Sequence, residues 1–328
     1  MNDSKIVHVA MSIWDPHGKY SRHGGATMVS IMEHTNAKVC FHILHDETLT
    51  DVNREKFTKT ADKYGHQVKF ITVSIPDAWG ISPANVKRYT KAMLFSLLLP
   101  HILPTDKVIH IDCDIIFTMD VELLWNLLDS DHAMAARTDT PKNNYSRLTP
   151  LGAKFHYCSL SPKYMPGGAC FVLNLKRIRE NYPDYAERIT ELFRRCKDVI
   201  KAYDETFFGV LFSDDMTCFP PLFHDRTVID ENEETKNIIF HLAGKPWEKY
   251  SSFADRIYWE ALYNSAWGED HHEFMSYVYE AMGGQYNHRH SSGCIKRLED
   301  QLKSNIRDAF SKTIDIIYYN LLSITNKH

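Results

Sequence analysis

The sequence predicts an α/β fold with a mostly parallel central sheet. Three observations lead to this prediction. Short apolar segments alternate with segments of helical spacing through the first 117 residues, and strands separated by helices of this kind are typical of βαβ units. The strands are apolar along their length, which indicates that helices cover both faces of the sheet. The 328 residues are enough for one large domain or two small ones.

The elements of the first half follow in order. Strands are predicted at 6–11, 38–44, 67–73 and 107–117, each a short apolar run, and helices at 27–34, 53–65 and 86–99, each with apolar residues three or four apart. The second helix ends in Gly65, a residue typical of helix C-termini. The third stops at Pro100, which cannot continue a helical hydrogen-bond pattern.

In the second half of the chain, predicted strands and helices alternate less regularly. Strands are predicted at 132–137, 168–175 and 238–241, and helices at 121–128, from Lys176, at 183–200 and at 205–212, whereas 143–165 reads as a long loop. A Gly-, Ser- and His-rich break is predicted at 283–293. We therefore expect a catalytic domain over 1–265 and a C-terminal helical region over 266–328.

That C-terminal region differs in charge and pattern from the rest. Residues 284–328 carry seven Lys or Arg against four Asp or Glu. Apolar residues recur there at helical spacing: Ile295, Leu298, Leu302, Ile306, Phe310, Ile314, Ile317 and Leu321. Such a helix could lie on an anionic membrane surface, or it could pack on its own domain or on a second subunit. Both readings stay open from the sequence.

Composition excludes several classes of protein. The formal charge of −4 argues against a broad basic surface for nucleic acid. The seven cysteines are odd in number and form no Cys-x-x-Cys pair, so we expect reduced thiols and no Cys-rich structural zinc site. The polar N-terminus does not resemble a signal peptide, and the apolar run near 94–103 is too short to span a bilayer. A cytoplasmic protein is the simplest expectation, with peripheral contact at the inner face of a membrane as an option.

The strongest local signal is Ile111-Asp112-Cys113-Asp114 at the end of an apolar strand. Strand alternation would place Asp112 and Asp114 on the same side. Two neighbouring carboxylates repel unless a cation or a proton lies between them. Oxygen ligands suit Mg²⁺ or Mn²⁺, and ligands of α/β sheets bind beyond the carboxyl ends of the strands. The alternative is that both acids only cap the strand in solvent.

A second motif, Phe240-His241-Leu242-Ala243-Gly244-Lys245-Pro246-Trp247, follows the last predicted strand. An imidazole at a strand end can ligate a metal. Gly244 permits a close approach of the backbone to a phosphate, and Lys245 supplies a compact positive charge. Each residue taken alone also fits an ordinary structural role.

Together, IDCD and HLAGKPW in this order resemble glycosyltransferase family 8, which includes glycogenin and bacterial lipopolysaccharide galactosyl- and glucosyltransferases. Three further stretches are similar to family segments: LLLPHILP at 97–104, GGACFVLNLK at 167–176 and DETFFG at 204–209. The resemblance covers residues 5–260. It implies a GT-A fold and transfer of a hexose, glucose or galactose, from a UDP-sugar with retention of configuration. The implied acceptor is a bacterial cell-surface polysaccharide or a lipid-linked precursor of one.

The resemblance also implies roles for single residues. Asp112, Asp114 and His241 would hold Mn²⁺ or Mg²⁺ against the diphosphate of the donor. The remaining donor contacts would come from Ala10 beside the uracil, Asp139 on the sugar, Gly167 and Gly168 in the sugar pocket, and Gly244 and Lys245 on the leaving UDP.

Asp204 and Glu205 are the residues that the resemblance places beside the anomeric carbon. Retention requires either a carboxylate nucleophile or same-face attack on an ion-pair intermediate. The family usually has Gln where Glu205 stands, and we favour the same-face route with Glu205 positioning the donor. The alternative is that both acids only cap the helix that follows.

Other positions also depart from the family pattern. Gly167 replaces the usual Asn, Ser96 replaces a usual Arg for which Arg88 or Lys91 would compensate, and HLAGKPW is two residues shorter than the common form. The segment 12–25 after the first strand is longer than usual.

Two other functions stay open: a transferase that glycosylates a protein or itself, and a weakly catalytic UDP-sugar-binding protein.

Overall fold

The computed structural model describes residues 6–86, 91–138, 146, 148–220, 223–224, 236–242, 253–290 and 311–323. The strands are β1 (Ile6–Ile13), β2 (Lys38–His45), β3 (Gln67–Thr72), β4 (Lys107–Ile111), β5 (Ile115–Phe117), β6 (Met134–Thr138), β7 (Pro166–Asn174), β8 (Met216–Cys218), β9 (Phe223–His224) and β10 (Ile239–His241). The helices are α1 (Ser21–Met32), α2 (Asp51–Lys63), α3 (Leu99–Ile102), α4 (Val121–Asn126), α5 (Pro150–Tyr157), α6 (Leu175–Asn181), α7 (Tyr185–Cys196), α8 (Tyr203–Phe212), α9 (Phe253–Asn264) and α10 (His271–His290). Residues 311–323 form a further helix.

Seven strands form the central sheet in the order β3-β2-β1-β4-β7-β6-β8, and β5, β10 and β9 form a small second sheet. The first four strands of that order run parallel, whereas β7 is antiparallel to both β4 and β6. The strand order reverses direction between β1 and β4. In open α/β sheets this switch point is where a crevice for ligands opens at the carboxyl ends of the strands. The predicted α/β fold with a mostly parallel sheet is therefore confirmed.

Apolar side chains fill both faces of the sheet, as the strand composition predicts. One buried cluster lies between the sheet and α1, α2, α9 and α10, and the other lies under α6, α7 and α8. Helix α1 is almost fully buried, and its Gly25 lies against the ring of Trp267. A Cβ atom on Gly25 would lie 2.5 Å from Trp267 Cζ3. This contact requires glycine and fixes the α1 end of the site described below.

Side chains that accept backbone hydrogen bonds mark several helix starts. The hydroxyl of Thr50 accepts from the Asn53 N–H at the start of α2, and the hydroxyl of Thr149 accepts from the Gly152 N–H at the start of α5. The Asp120 carboxylate caps α4 in the same way. Such caps satisfy backbone donors that have no partner within the helix.

Several predicted boundaries were wrong. Within the described residues, the segment predicted as a helix over 86–99 forms two short 3₁₀ turns at Lys91–Leu94 and Ser96–Leu98, followed by α3. Ala92, Leu94, Phe95, Leu97 and Leu99 are all buried. The segment therefore fills the core on nearly every side, and it does so as short 3₁₀ turns of the kind that often connect other elements.

The predicted strand 107–117 is in fact two strands in different sheets. The chain turns at 112–114, where the Asp112 N–H donates to the Ala169 carbonyl at 2.8 Å. Asp112 and Asp114 are therefore neighbours through a turn and not through strand alternation. The predicted loop 143–165 contains α5, and α10 continues through residues 283–290 of the predicted break.

The helix over 311–323 packs on α5 through its polar side. Lys154 Nζ lies 3.1 Å from an Asp315 carboxylate oxygen, and the Tyr157 and Tyr319 rings are 5.5 Å apart. The residues of the predicted apolar stripe that the structure describes, Ile314, Ile317 and Leu321, are 49%, 55% and 58% exposed. Residues 295–310 of the stripe lie outside the described residues. No described helix has the length and hydropathy needed to cross a bilayer.

Candidate active site

The turn between β4 and β5 brings the Asp112–Asp114 pair to the switch point of the sheet. Its backbone is held by a buried side chain of α1, because the Thr27 hydroxyl lies 3.0 Å from the Cys113 carbonyl and 2.9 Å from the Ile115 carbonyl. On the other side, β7 runs antiparallel to β4, so its first residues lie beside Asp112. A strand end, a buried helix and a neighbouring strand thus fix this turn.

His241 reaches the same turn from the second sheet. Strand β10 pairs antiparallel with β5, which sets His241 opposite Ile115, and the Leu242 N–H donates to the Asp114 carbonyl at 2.8 Å. His241 Nε2 then lies 3.7 Å from Asp114 Oδ1. One potential ligand atom from each of Asp112, Asp114 and His241 lies within 4.8 Å of the others. Two parts of the sequence 127 residues apart therefore meet in one cluster.

The donor set of this cluster fits a divalent cation. Asp114 Oδ1 is buried and has no hydrogen-bond partner among the described residues. A buried carboxylate oxygen without a partner is costly, and a metal ion would satisfy it. Two carboxylates and one imidazole suit Mn²⁺ or Mg²⁺, which accept oxygen and nitrogen ligands. The residues that the sequence predicted as metal ligands are thus brought together.

Asp204 and Glu205 stand at the start of α8 and belong to the same electrostatic site. Burial raises the pKa of Asp112 well above its ordinary range, and the charges of Asp114, Asp204 and Glu205 raise it further. Burial, reinforced by Glu205, also raises the pKa of Asp204 to about 7. Four carboxyl groups therefore lie close enough to interact, and their mutual repulsion disfavours the ionisation of Asp112 and Asp204.

The packing of α8 on the sheet positions these two acids. The Phe208 ring contacts the Phe171 ring of β7 at 5.2 Å between centroids. A Cβ atom on Gly209 would lie 2.7 Å from the Tyr164 carbonyl oxygen. Helix α8 therefore lies closer to the backbone at Tyr164, just before β7, than any residue larger than glycine at position 209 would allow. The Asp204 carboxylate accepts the Glu205 N–H at 2.9 Å, which orients it in the first turn.

The other predicted site residues fall into three groups. Gly167 and Gly168 lie at the start of β7, close to the Asp112 turn. Ala10 is buried in mid-strand with 0% exposure, because β1 continues to Ile13, and its role beside the uracil stays a prediction. The prediction that the first strand ends near residue 11 was too short, since Ser12 and Ile13 still pair with β2. Asp139, Gly244, Lys245 and Arg88 lie outside the described residues.

The sequence analysis missed Tyr20. Burial raises the pKa of its phenol well above the ordinary value, and the charges of Cys113, Asp114, Asp112 and Asp15 add to this effect. Tyr20 is therefore a neighbour of the candidate metal cluster. The buried Asp15 carboxylate holds it there by accepting the Tyr20 and Ser21 N–H groups at 2.8 and 2.9 Å. The unusual length of segment 12–25 was the only signal for it in the sequence.

Lys91 and Ser96, considered in place of a family arginine, have definite partners. Lys91 Nζ donates to the Asp46 carboxylate at 2.7 Å at the carboxyl end of β2. Burial would raise the pKa of Asp46, but hydrogen bonds from Lys91 and Thr48 outweigh it and lower that pKa. Ser96 is buried, and its hydroxyl donates to the Met93 carbonyl. The Lys91 amine is thus already engaged by a carboxylate.

Comparison with known proteins agrees with this geometry. The family model described as glycosyl transferase family 8 matches residues 13–251. The chain belongs to this family. Among curated proteins, the general stress protein A of Bacillus subtilis (strain 168) is 23% identical over 145 residues, which span 42% of this chain and 48% of that protein. The match thus spans about half the length of this relative.

Solved structures show the same fold. The apo structure of the bifunctional glycosyltransferase WbbM has a TM-score of 0.63 at 16% identity, covering 87% of this chain and 52% of that one. A galactosyltransferase, LgtC, in complex with donor and acceptor sugar analogues has a TM-score of 0.60 at 18% identity, covering 78% and 94%. A glutamine-to-glutamate active-site mutant of LgtC has a TM-score of 0.61 at 18% identity, covering 79% and 95%. These neighbours confirm the GT-A fold, and the family match confirms the predicted family.

Proposed function

We propose that this chain transfers a hexose, glucose or galactose, from a UDP-sugar to a glycan acceptor with retention of configuration and with the help of Mn²⁺ or Mg²⁺. The observation that carries the proposal is the cluster of Asp112, Asp114 and His241 at the switch point of the sheet in a member of glycosyl transferase family 8. A crevice at this position is where α/β sheets bind nucleotides.

In this proposal Asp112, Asp114 and His241 hold the cation against the diphosphate of the donor. When bound, such a cation would supply positive charge for the leaving diphosphate. The half-buried Asp112 and the unpartnered Asp114 oxygen support this role, because both side chains carry a cost that a cation removes. Gly244 and Lys245 would neutralise the leaving UDP, as the family resemblance implies.

Asp204 and Glu205 would contact the sugar of the donor on the α8 side. Their charges reach Asp112, so a donor bound to the cation would lie between the two groups. We favour same-face attack, with Glu205 orienting the sugar and Asp204 stabilising positive charge at the anomeric carbon.

The acceptor would be a cell-surface polysaccharide or its lipid-linked precursor, and the C-terminal helix would bring the enzyme to it. The exposed Ile314, Ile317, Tyr318 and Leu321 support contact with a membrane surface, and the basic residues of the same region suit anionic lipid. Flotation with anionic vesicles tests this idea. Ile317→Glu with Leu321→Glu should abolish flotation, whereas the exposed but distant Leu123→Glu should not change it.

Release of UDP from a panel of UDP-sugars, with and without Mn²⁺, tests the catalytic proposal. We expect release from one donor that depends on Mn²⁺ and is lost in Asp112→Ala. Mass spectrometry of the chain after incubation distinguishes self-glycosylation, which adds hexose mass without any acceptor. Metal-dependent binding of UDP without turnover, even with glycan acceptors, would indicate a sugar-nucleotide-binding protein. Absence of UDP binding would refute the proposal.

A further inference from the structure

A second cluster of metal-capable side chains lies on the same sheet, away from the candidate active site. It consists of His8 on β1 and of Cys40 and His42 on β2, and one potential ligand atom from each lies within 4.8 Å of the others. We propose that these three residues bind a Zn²⁺-class cation that links β1 to β2. The proposal does not depend on the catalytic proposal above.

The strand register creates this cluster. Strands β1 and β2 pair in parallel with His8 opposite Cys40, and His42 follows Cys40 by two residues. Residues two apart in a strand project from the same face, so the three side chains converge on one side of the sheet. His8 precedes Ser12, at the active-site end of β1, by four residues, which is roughly 13 Å along the strand. The two clusters are therefore separate sites.

The distances suit a small cation with nitrogen and sulfur ligands. His8 Nδ1 lies 3.0 Å from His42 Nε2. Bonds of about 2.0–2.1 Å to nitrogen in a tetrahedral site require nitrogen atoms to lie roughly 3.3 Å apart. The histidine pair therefore needs only a small outward movement. Cys40 and His42 are buried, whereas His8 is half-buried, so a cation would reach the cluster from the His8 side.

The surroundings favour a borderline-soft cation over Mg²⁺. Two imidazoles and one thiolate are the donors that Zn²⁺ prefers, whereas Mg²⁺ prefers oxygen. A neutral imidazole offers a lone pair to such a cation, as His8 and His42 would do here. Burial raises the pKa of the Cys40 thiol, and the positive charge of Lys69 opposes that rise.

Binding changes the protonation of the cluster in a defined way. In the metal-free protein a ring N–H bridges His8 and His42. On binding, each imidazole keeps one proton on the ring nitrogen that does not face the cation. The Cys40 Sγ–H bond breaks, its electron pair binds the cation, and the proton passes to buffer. Binding therefore releases one proton per cation and strengthens as the pH rises.

Co²⁺ titration of the purified full chain tests the proposal, because a thiolate ligand gives Co²⁺ an intense near-ultraviolet charge-transfer absorption. The active-site cluster of two carboxylates and one imidazole includes no sulfur ligand, and Cys113 in its turn is the one thiol there that the control below must exclude. We expect one equivalent of Co²⁺ to produce it, and Zn²⁺ to remove it by displacement. Cys40→Ser should abolish the absorption and weaken Zn²⁺ binding at this site by at least about 100-fold.

Cys113→Ser is the matched control, because Cys113 is equally buried and lies in the active-site turn. We expect this variant to keep the absorption. Loss of the signal in Cys113→Ser and its survival in Cys40→Ser would assign it to the active site and overturn the proposal. If Cys40→Ser fails to fold, His8→Ala provides the second variant, with weaker Co²⁺ binding expected. Absence of any thiolate absorption in the unmodified chain would also overturn the proposal.

Discussion

The two metal-capable clusters share one sheet but are built in different ways. Asp112, Asp114 and His241 come from a turn and a second sheet, and further carboxylates lie beside them. His8, Cys40 and His42 come from two adjacent strands in register. Strand ends and turns can hold charged groups near solvent, whereas a strand face under other elements retains neutral groups. The position in the sheet thus decides which chemistry each cluster supports.

The two clusters also respond to pH in opposite directions. Asp204, beside the carboxylate cluster, has a folded pKa of about 7 against 3.8 for the free group. Its contribution to stability is therefore present below about pH 4 and is lost as the pH rises through 7. His42 has a folded pKa of about 4 against 6.5. Its contribution is present above pH 6.5 and is lost as the pH falls through 4.

The largest expected effect is the loss of activity in Asp114→Ala. Removing one carboxylate ligand should reduce Mn²⁺-dependent UDP release by about 10³–10⁴-fold, which corresponds to roughly 4–5.5 kcal/mol. The fold should persist, because the Leu242 N–H bonds to the backbone carbonyl of residue 114 and not to its side chain. Steady-state kinetics measures the effect. Asp214→Ala, which removes an exposed acid paired with Lys163, should leave the rate unchanged.

Asp204→Asn should stabilise the metal-free chain at pH 8 while it lowers activity. The amide keeps the oxygen that accepts the Glu205 N–H and removes a buried charge. The shift of the Asp204 pKa from 3.8 to about 7 corresponds to up to about 4 kcal/mol of unfolding free energy. Urea denaturation in the presence of a chelator measures this gain. Asp198→Asn is the control, since hydrogen bonds from Lys197 and Asn85 lower the pKa of Asp198 and no gain is expected.

His42→Gln should reduce the slope with which the unfolding free energy falls as the pH is lowered. In the unmodified, metal-free chain, neutral burial of His42 should account for up to about 3 kcal/mol lost between pH 6.5 and 4. The readout is the slope of the unfolding free energy against pH. The absolute unfolding free energy is not used, because the substitution also changes it through packing. His132→Gln, an exposed residue beside Asp129, should keep the acid slope. An unchanged slope in His42→Gln would contradict the neutral state of this imidazole.

Gly167→Asn should give the smallest effect. The structure has room for a side chain there, since a Cβ atom would lie 3.7 Å from the Arg137 carbonyl. An added amide near the sugar pocket should lower the KM for the donor by about 2–10-fold, roughly 1 kcal/mol of binding. Gly209→Ala is the contrasting variant, because its Cβ would clash with the Tyr164 carbonyl, and its thermal midpoint should fall. Equal destabilisation of both variants would show that Gly167 is also needed for packing.

Local patterns in the sequence determined much of this protein. Apolar strands separated by helices predicted the α/β sheet, because strands that are buried on both faces consist of nearly continuous runs of apolar residues. Two acids after an apolar strand, and a His–Gly–Lys motif after another, predicted the metal cluster of Asp112, Asp114 and His241, and the structure brings these three residues together. Each motif alone also fitted a structural role, and it was the resemblance of the motifs together to glycosyltransferase family 8 that implied one shared metal site.

Only the tertiary structure decided the rest. The turn at 112–114, the 3₁₀ segments at 91–98 and the burial of Ala10 depend on which distant elements pack against them. Tyr20 reaches the site because Asp15 folds the preceding loop, which no local pattern shows. The same holds for His8, Cys40 and His42, since the pairing of β1 with β2 sets their distances. Strand register and packing bring together residues that are far apart in the chain. No single segment of the sequence specifies which of these residues will meet.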